Sequence, residues 1–156
     1  MVSTPLIISR NPAEINQGFS AKLLQSLGFP RLSLDEAGIA RHVNPMLIYK
    51  IFRADEWRSL QTEGETLGAP IDLADGYVHF STASQAAETA AKYFAGVGGL
   101  MLLAVDADKC TPIKWEVSRG GAQFPHLYRA LKLTDVLWAK PLPCEGAGHI
   151  FPPEMK

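Results

Sequence analysis

The sequence predicts one α+β domain running from about Met46 to the C-terminus, with small mixed or antiparallel sheets and two main helices, behind an irregular stretch over residues 1–45. Three observations predict it. Short apolar runs of strand length recur from Leu47 onward, two segments carry a good helical period, and Gly, Pro and Asp punctuate the chain between them. Short strands with few helices and no strict alternation indicate α+β rather than a doubly wound sheet.

Before Met46 the pattern is interrupted by Pro5, Pro12 and Pro30 and by Gly18, Gly28 and Gly38, with short helical pieces at 21–27 and 34–41. Neither piece buries enough apolar surface to offset an ordering cost of about 1–2 kcal/mol per residue, so this stretch is expected to be poorly ordered or loosely attached. Met46, directly ahead of the first convincing strand, is a candidate start of the working chain.

The strand Leu47-Ile48-Tyr49-Lys50-Ile51-Phe52 comes first, and Ala54–Glu63 reads as a helix with Trp57 and Leu60 on one face and Gly64 as its stop. Residues 65–75 read as a loop ending in the turn dipeptide Asp75-Gly76. A strand over 77–81 places Tyr77, His79 and Ser81 on one face. Thr82 with Gln85 three residues on is a capping-box pattern, in which the Thr hydroxyl accepts from a first-turn amide and the Gln reaches back. The helix it opens carries Ala86, Ala87, Ala90, Ala91 and Phe94 at helical period and stops at Gly96. The continuous apolar run 100–105 is a central strand buried on both faces. Further strands are expected at 113–117, 130–133 and 136–139, with the aromatic segment Phe124-Pro125-His126-Leu127-Tyr128 between them and an aperiodic tail from Pro141.

Fifteen Lys and Arg against sixteen Asp and Glu leave a formal net charge of −1. With no basic excess, general nucleic-acid binding is disfavoured, while a nucleotide needs no more than a few placed donors. The N-terminus lacks the basic start and apolar core of a signal peptide, and no run approaches the roughly 18 apolar residues of a membrane span. The expectation is a cytoplasmic protein with Cys110 and Cys144 as reduced thiols.

Candidate chemistry clusters at His79, Ser81, Thr82 and Gln85, where a strand delivers an imidazole and a hydroxyl to a helix N-terminus. The plain alternative is a capped helix beside a satisfied histidine. Glu116 sits mid-strand next to Ser118-Arg119-Gly120-Gly121, either as a functional carboxylate with an anion-holding Arg119 or as an edge charge. His126 lies between Phe124 and Tyr128, which wall a ring pocket or fill a core. Tyr49 and Lys50 stand on opposite faces of the first strand, and Lys50 alone reads equally well as a solvated edge charge. No His/Cys/Asp/Glu spacing matches a zinc motif, so no metal is expected, and phosphate-loop, nucleophile-elbow and dinucleotide fingerprints are missing from the sequence.

Ile48 to Ile51, Glu56-Trp57, the run Asp72 to Thr82, Gln85, Glu88-Thr89, Trp115-Glu116, Ser118 to Gly121 and Phe124 to Tyr128 together resemble the bacterial domain of unknown function family 952 over residues 47–138. That family is in turn similar to the ADP-ribosyltransferase-like fold. The resemblance implies NAD as a substrate in a cleft between two small sheets. It implies Glu116 and His79 as catalytic groups, and Tyr49, Ser81, Thr82, Gln85, Arg119, Phe124 and His126 as ligand contacts. Lys50 stands where that group has a histidine. Two functional classes follow, an ADP-ribosyl transferase or NAD glycohydrolase and a non-enzymatic small-ligand module.

Overall fold

The computed structural model describes residues 32–34, 40–42, 44–118, 120–146 and 148–155. The chain divides into two units, Met1–Asn44 and Pro45–Lys156. In the first, strands β1 (Leu32–Leu34) and β2 (Ala40–His42) pair antiparallel, with Leu32 opposite His42. This corrects the helical expectation for 34–41, since Leu34 lies in β1 and Ala40 and Arg41 in β2. The Leu-Ser-Leu alternation of β1 has the period of two that a strand requires. The helical piece expected at 21–27 and the N-terminal disorder lie outside the described residues.

The second unit runs β3 (Leu47–Arg53), α1 (Ala54–Glu63), β4 (Glu65–Thr66), α2 (Pro70–Asp75), β5 (Val78–His79), α3 (Ala83–Tyr93), β6 (Leu100–Asp106), β7 (Ile113–Val117) and β8 (Gln123–Leu127). It closes with β9 (Leu131–Lys132), a 3-10 turn (Leu133–Asp135), β10 (Val136–Leu142), β11 (Cys144–Glu145) and β12 (Gly148–His149). The class is α+β with small antiparallel sheets, as the sequence predicts. Residues 65–75 are a correction, because β4 pairs with β9 and Pro70 at the first helical position opens α2. The tail from Pro141 is another, since β10 continues to Leu142 and β11 and β12 form a further antiparallel pair.

Helix α1 leaves β3 directly because the Glu56 carboxylate accepts from the Arg53 N–H at 2.8 Å. It ends at Gly64, whose φ of 80° is left-handed and whose N–H donates to Leu60 O at 2.9 Å. Leu60 is fully buried, with Trp57 packed beside it. At α3 half of the expected capping box forms. The Thr82 N–H donates to Gln85 Oε1 at 3.0 Å, but the Thr82 hydroxyl meets Ser84 Oγ and makes no cap bond to the helix backbone.

One three-stranded sheet has the order β10-β6-β3 and the other β5-β8-β7, every pair antiparallel. The central strand β6 feeds both cores. Leu103 and Val105 pack with Phe52, Leu60, Val78 and Leu127, while Leu102 and Ala104 pack with Tyr49, Ala90 and Leu142. The two sheets are stitched where the chain leaves β5. Phe80 N–H donates to Pro125 O at 2.9 Å, and one residue later Ser81 and Tyr49 exchange both backbone bonds at 2.8 Å. Pro125 has no N–H to return, so pairing of β5 with β8 ends there and the strand crosses to β3. In the second sheet His79 lies opposite His126, and His126 opposite Lys114, in one row across three strands.

Gly64→Ala should cost about 1 kcal/mol in urea denaturation, because a Cβ at left-handed φ is strained although nothing lies within 4 Å of it. Gly98→Ala, with open space and no positive φ, should be neutral.

Candidate functional site

The site grows from Asp72, in the first turn of α2 and 0% exposed. One oxygen, Oδ2, accepts from the Ala69 N–H at 2.6 Å and from Lys50 Nζ at 2.5 Å. The other, Oδ1, accepts from the His79 N–H at 3.0 Å and from His79 Nδ1 at 2.7 Å. A Cβ on Gly68, which has φ of 102°, would stand 2.2 Å from Oδ2, so the backbone approaches this carboxylate as glycine alone allows. Burial pushes the carboxyl upward, but the hydrogen bonds from His79 and the Lys50 charge hold it below its ordinary value. Lys50, 6% exposed, is a buried ion-pair partner and not a solvated edge charge. Burial lowers its pKa while Asp72 opposes that shift.

A second imidazole and carboxylate sit across the strand. His126 Nδ1 lies 2.7 Å from Glu116 Oε2, and the Tyr128 hydroxyl donates to both Glu116 oxygens at 2.8 and 3.0 Å. Those bonds from His126 and Tyr128 hold the exposed Glu116 carboxyl below its usual range, and the same bond raises the Tyr128 phenol. Lys114 Nζ rests 4.2 Å from the Tyr128 ring centre. The His79 and His126 rings are 5.1 Å apart at 77°. Tyr77 contacts both, at 4.7 and 4.4 Å, and Tyr128 at 5.0 Å. Its phenol is raised by burial first and then by Asp75 and Glu116.

His79 Nε2 is 3.2 Å from the Asp75 carboxylate. His126 is 8% exposed, and its Nε2 makes no hydrogen bond among the described residues. Ionised carboxylates accept and do not donate, so each Nδ1 carries a proton and, in the neutral ring, Nε2 of His126 is the nitrogen with the lone pair. The arrangement can take a proton from, or hold, a small polar group above the sheet. Beside it a recess of ≈ 120 Å³ lies between the loop before α2 and β8, with Tyr77 and Tyr128 in its wall.

Of the residues singled out from sequence, His79, His126 and Glu116 come together. Phe124 lies opposite Glu116 in the ladder and is half-buried. Tyr49 is 1% exposed and packs in the core with Trp138 at 5.9 Å, on the β3 face away from Lys50, and not at the ligand contact that the resemblance implies. Ser81 is buried, with Oγ 3.1 Å from Thr89 Oγ1. Gln85 holds the Thr82 N–H at the start of α3, and its Nε2 ties that helix to Gln123 O at 2.7 Å. Arg119 lies outside the described residues. Tyr128, weighed from sequence as a ring-pocket wall, joins His79, His126 and Glu116, while Asp72 and Tyr77 are site residues that sequence reasoning did not single out.

Among the described residues no group of three or more His, Cys, Asp and Glu is placed to hold a metal ion, and no helix is long and apolar enough to cross a membrane. Cys110 and Cys144 are free thiols. Burial, with Asp135 nearby, pushes Cys110 up to about 12, which makes it inert.

Fold and site define a small α+β domain with a carboxylate-backed histidine pair on one sheet face. The chain belongs to the family described as Protein of unknown function (DUF952), whose model matches residues 51–139. It is similar to the crystal structure of protein CC0527 from Caulobacter crescentus, with 47% identity and a TM-score of 0.64 over 66% of this chain and 91% of that one. The solution structure of the same protein matches at 45% identity and a TM-score of 0.59, over 67% and 90%. No curated protein matches the chain.

Asp72→Asn should cost roughly 3–5 kcal/mol in urea denaturation at pH 7, because it leaves Lys50 buried without its counter-charge. The folded pKa of Asp72 is depressed, so its contribution is present above the unfolded value of about 4 and is lost as pH falls through the folded one. The gap between wild type and variant should therefore narrow in acid.

Proposed function

We propose that the domain is a nucleotide-using enzyme of the ADP-ribosyltransferase-like kind, transferring or hydrolysing the ADP-ribosyl group of NAD in the cytoplasm. The observation that carries this reading is the cross-strand pair His79 and His126, each fixed at Nδ1 by its own carboxylate at 2.7 Å. Two small antiparallel sheets stitched at Tyr49 and Ser81 support the fold side of the reading.

In hydrolysis the glycosidic C–N bond breaks and its electron pair leaves with the ring as neutral nicotinamide. A water oxygen bonds to the ribose carbon and passes its proton to His126 Nε2. Glu116 stabilises the imidazolium so formed and orients His126. His79, with its ring nitrogens held by Asp72 and Asp75, packs edge-on against the His126 ring and beside Tyr77 and so positions the base. Tyr77 and Tyr128 supply ring faces.

A second reading, a small-ligand module without turnover, is favoured by one observation. Tyr49 is in the core and Lys50 is committed to Asp72, so neither first-strand side chain that the resemblance assigns to the site reaches a ligand.

Nicotinamide release from NAD tests the two readings. His126→Ala and Glu116→Gln should each lower the rate by about 10²-fold or more, and Glu116→Gln, at an exposed side chain, should leave the melting temperature little changed. A saturable thermal shift with NAD but no release selects the module, and neither response removes NAD from the account.

A further inference from the structure

The geometry points to the recess beside Tyr77 as a subsite for one neutral six-membered aromatic ring. Its floor is Val78 and Leu127, both essentially fully buried, and its walls are Leu67, Leu73, Tyr77 and Tyr128. Leu67 and Leu73 are 60% and 58% exposed, so two large apolar side chains stand open to water at its rim.

The two charged residues at its edge are already satisfied. Asp72 accepts four hydrogen bonds. The Arg129 guanidinium donates to Thr111 O, Ala130 O and the Asp135 carboxylate, with Cys110 Sγ at 3.7 Å. Among the lining residues a phosphate would find no uncommitted cation, Lys114 over the Tyr128 ring lying outside that lining, and a cation no uncommitted carboxylate, whereas an apolar ring would dry both leucines and lie against two phenols.

Size narrows the occupant further. An enclosed apolar cavity of about 150 Å³ accommodates benzene, so an open recess of ≈ 120 Å³ has room for one ring, and a fused bicycle would leave its second ring outside. Tyr77 belongs both to the recess and to the imidazole pair, so a group attached to the ring emerges beside His79 and His126. The subsite deepens the catalytic reading by assigning the single-ring end of a substrate to this side of Tyr77, and rests on that reading only for what the attached group undergoes.

Methyl and aromatic NMR titrations of the full chain with nicotinamide, benzamide, adenine and inorganic phosphate decide it. Nicotinamide and benzamide should give saturable shifts at Leu67, Leu73, Val78 and Leu127, at least tenfold stronger in apparent affinity than adenine or phosphate. Leu73→Trp, an exposed position, should fill the recess and abolish both titrations with the fold intact by its backbone spectrum. No saturable shift from either single ring, phosphate binding as well as they do, or an unchanged titration in Leu73→Trp overturns the assignment. Ring binding without NAD turnover sinks the catalytic reading and leaves the subsite standing; turnover without ring binding here does the reverse.

Discussion

The Asp72 carboxylate fixes the geometry of the site. It is taken fully out of water, at a cost several kcal/mol above that of a surface acid, and offsets that cost with four hydrogen bonds drawn from three directions. Lys50 comes from β3, Ala69 from the start of α2, and His79 contributes both its backbone and its ring from β5. One side chain therefore joins the first sheet, a helix and the second sheet. Because the retained ion pair must be complete to be tolerated, the position of His79 is set by the fold and not by rotamer preference alone.

The Tyr49–Ser81 bridge brings β3 and the end of β5 into register, which places Lys50 and His79 on either side of Asp72. Across the ladder His126 repeats the pattern with Glu116, but at the surface, where Glu116 is 41% exposed and its hydrogen bonds come from side chains. In the first dyad the carboxylate is buried and the imidazole 32% exposed, whereas in the second the carboxylate is 41% exposed and the imidazole only 10%. Tyr77 touches both rings and couples their positions.

Much of this frame was legible in the sequence. Ala54–Glu63 with its Gly64 stop matched element for element, as did Ile113–Val117, because helical period and a β-rich run are local signals. The apolar run at 100–105 was read correctly as a central strand, with Asp106 completing it. His79 and Glu116 are marked as polar residues within strand-like runs, and His126 by its place in an aromatic segment. What escaped depended on distant partners. Lys50 was indistinguishable from an edge charge until Asp72, 22 residues away, came against it. Helix α2 is six residues long, too short for periodicity, although Pro70 followed two residues later by an acid was a usable start signal. Strand β8 was obscured by Pro125, which the ladder tolerates because pairing with β5 ends there. Tyr77 reads as an ordinary aromatic, and nothing in its spacing announces that it meets Tyr128.

The central claim is that both imidazoles are pinned at Nδ1 by acceptor-only carboxylates. A long-range proton–nitrogen correlation spectrum of the imidazole rings near neutral pH tests it directly. The account predicts a protonated Nδ1 on His79 and on His126, with Nε2 of His126 the unprotonated nitrogen in its neutral form. An unprotonated Nδ1 on either ring would contradict it.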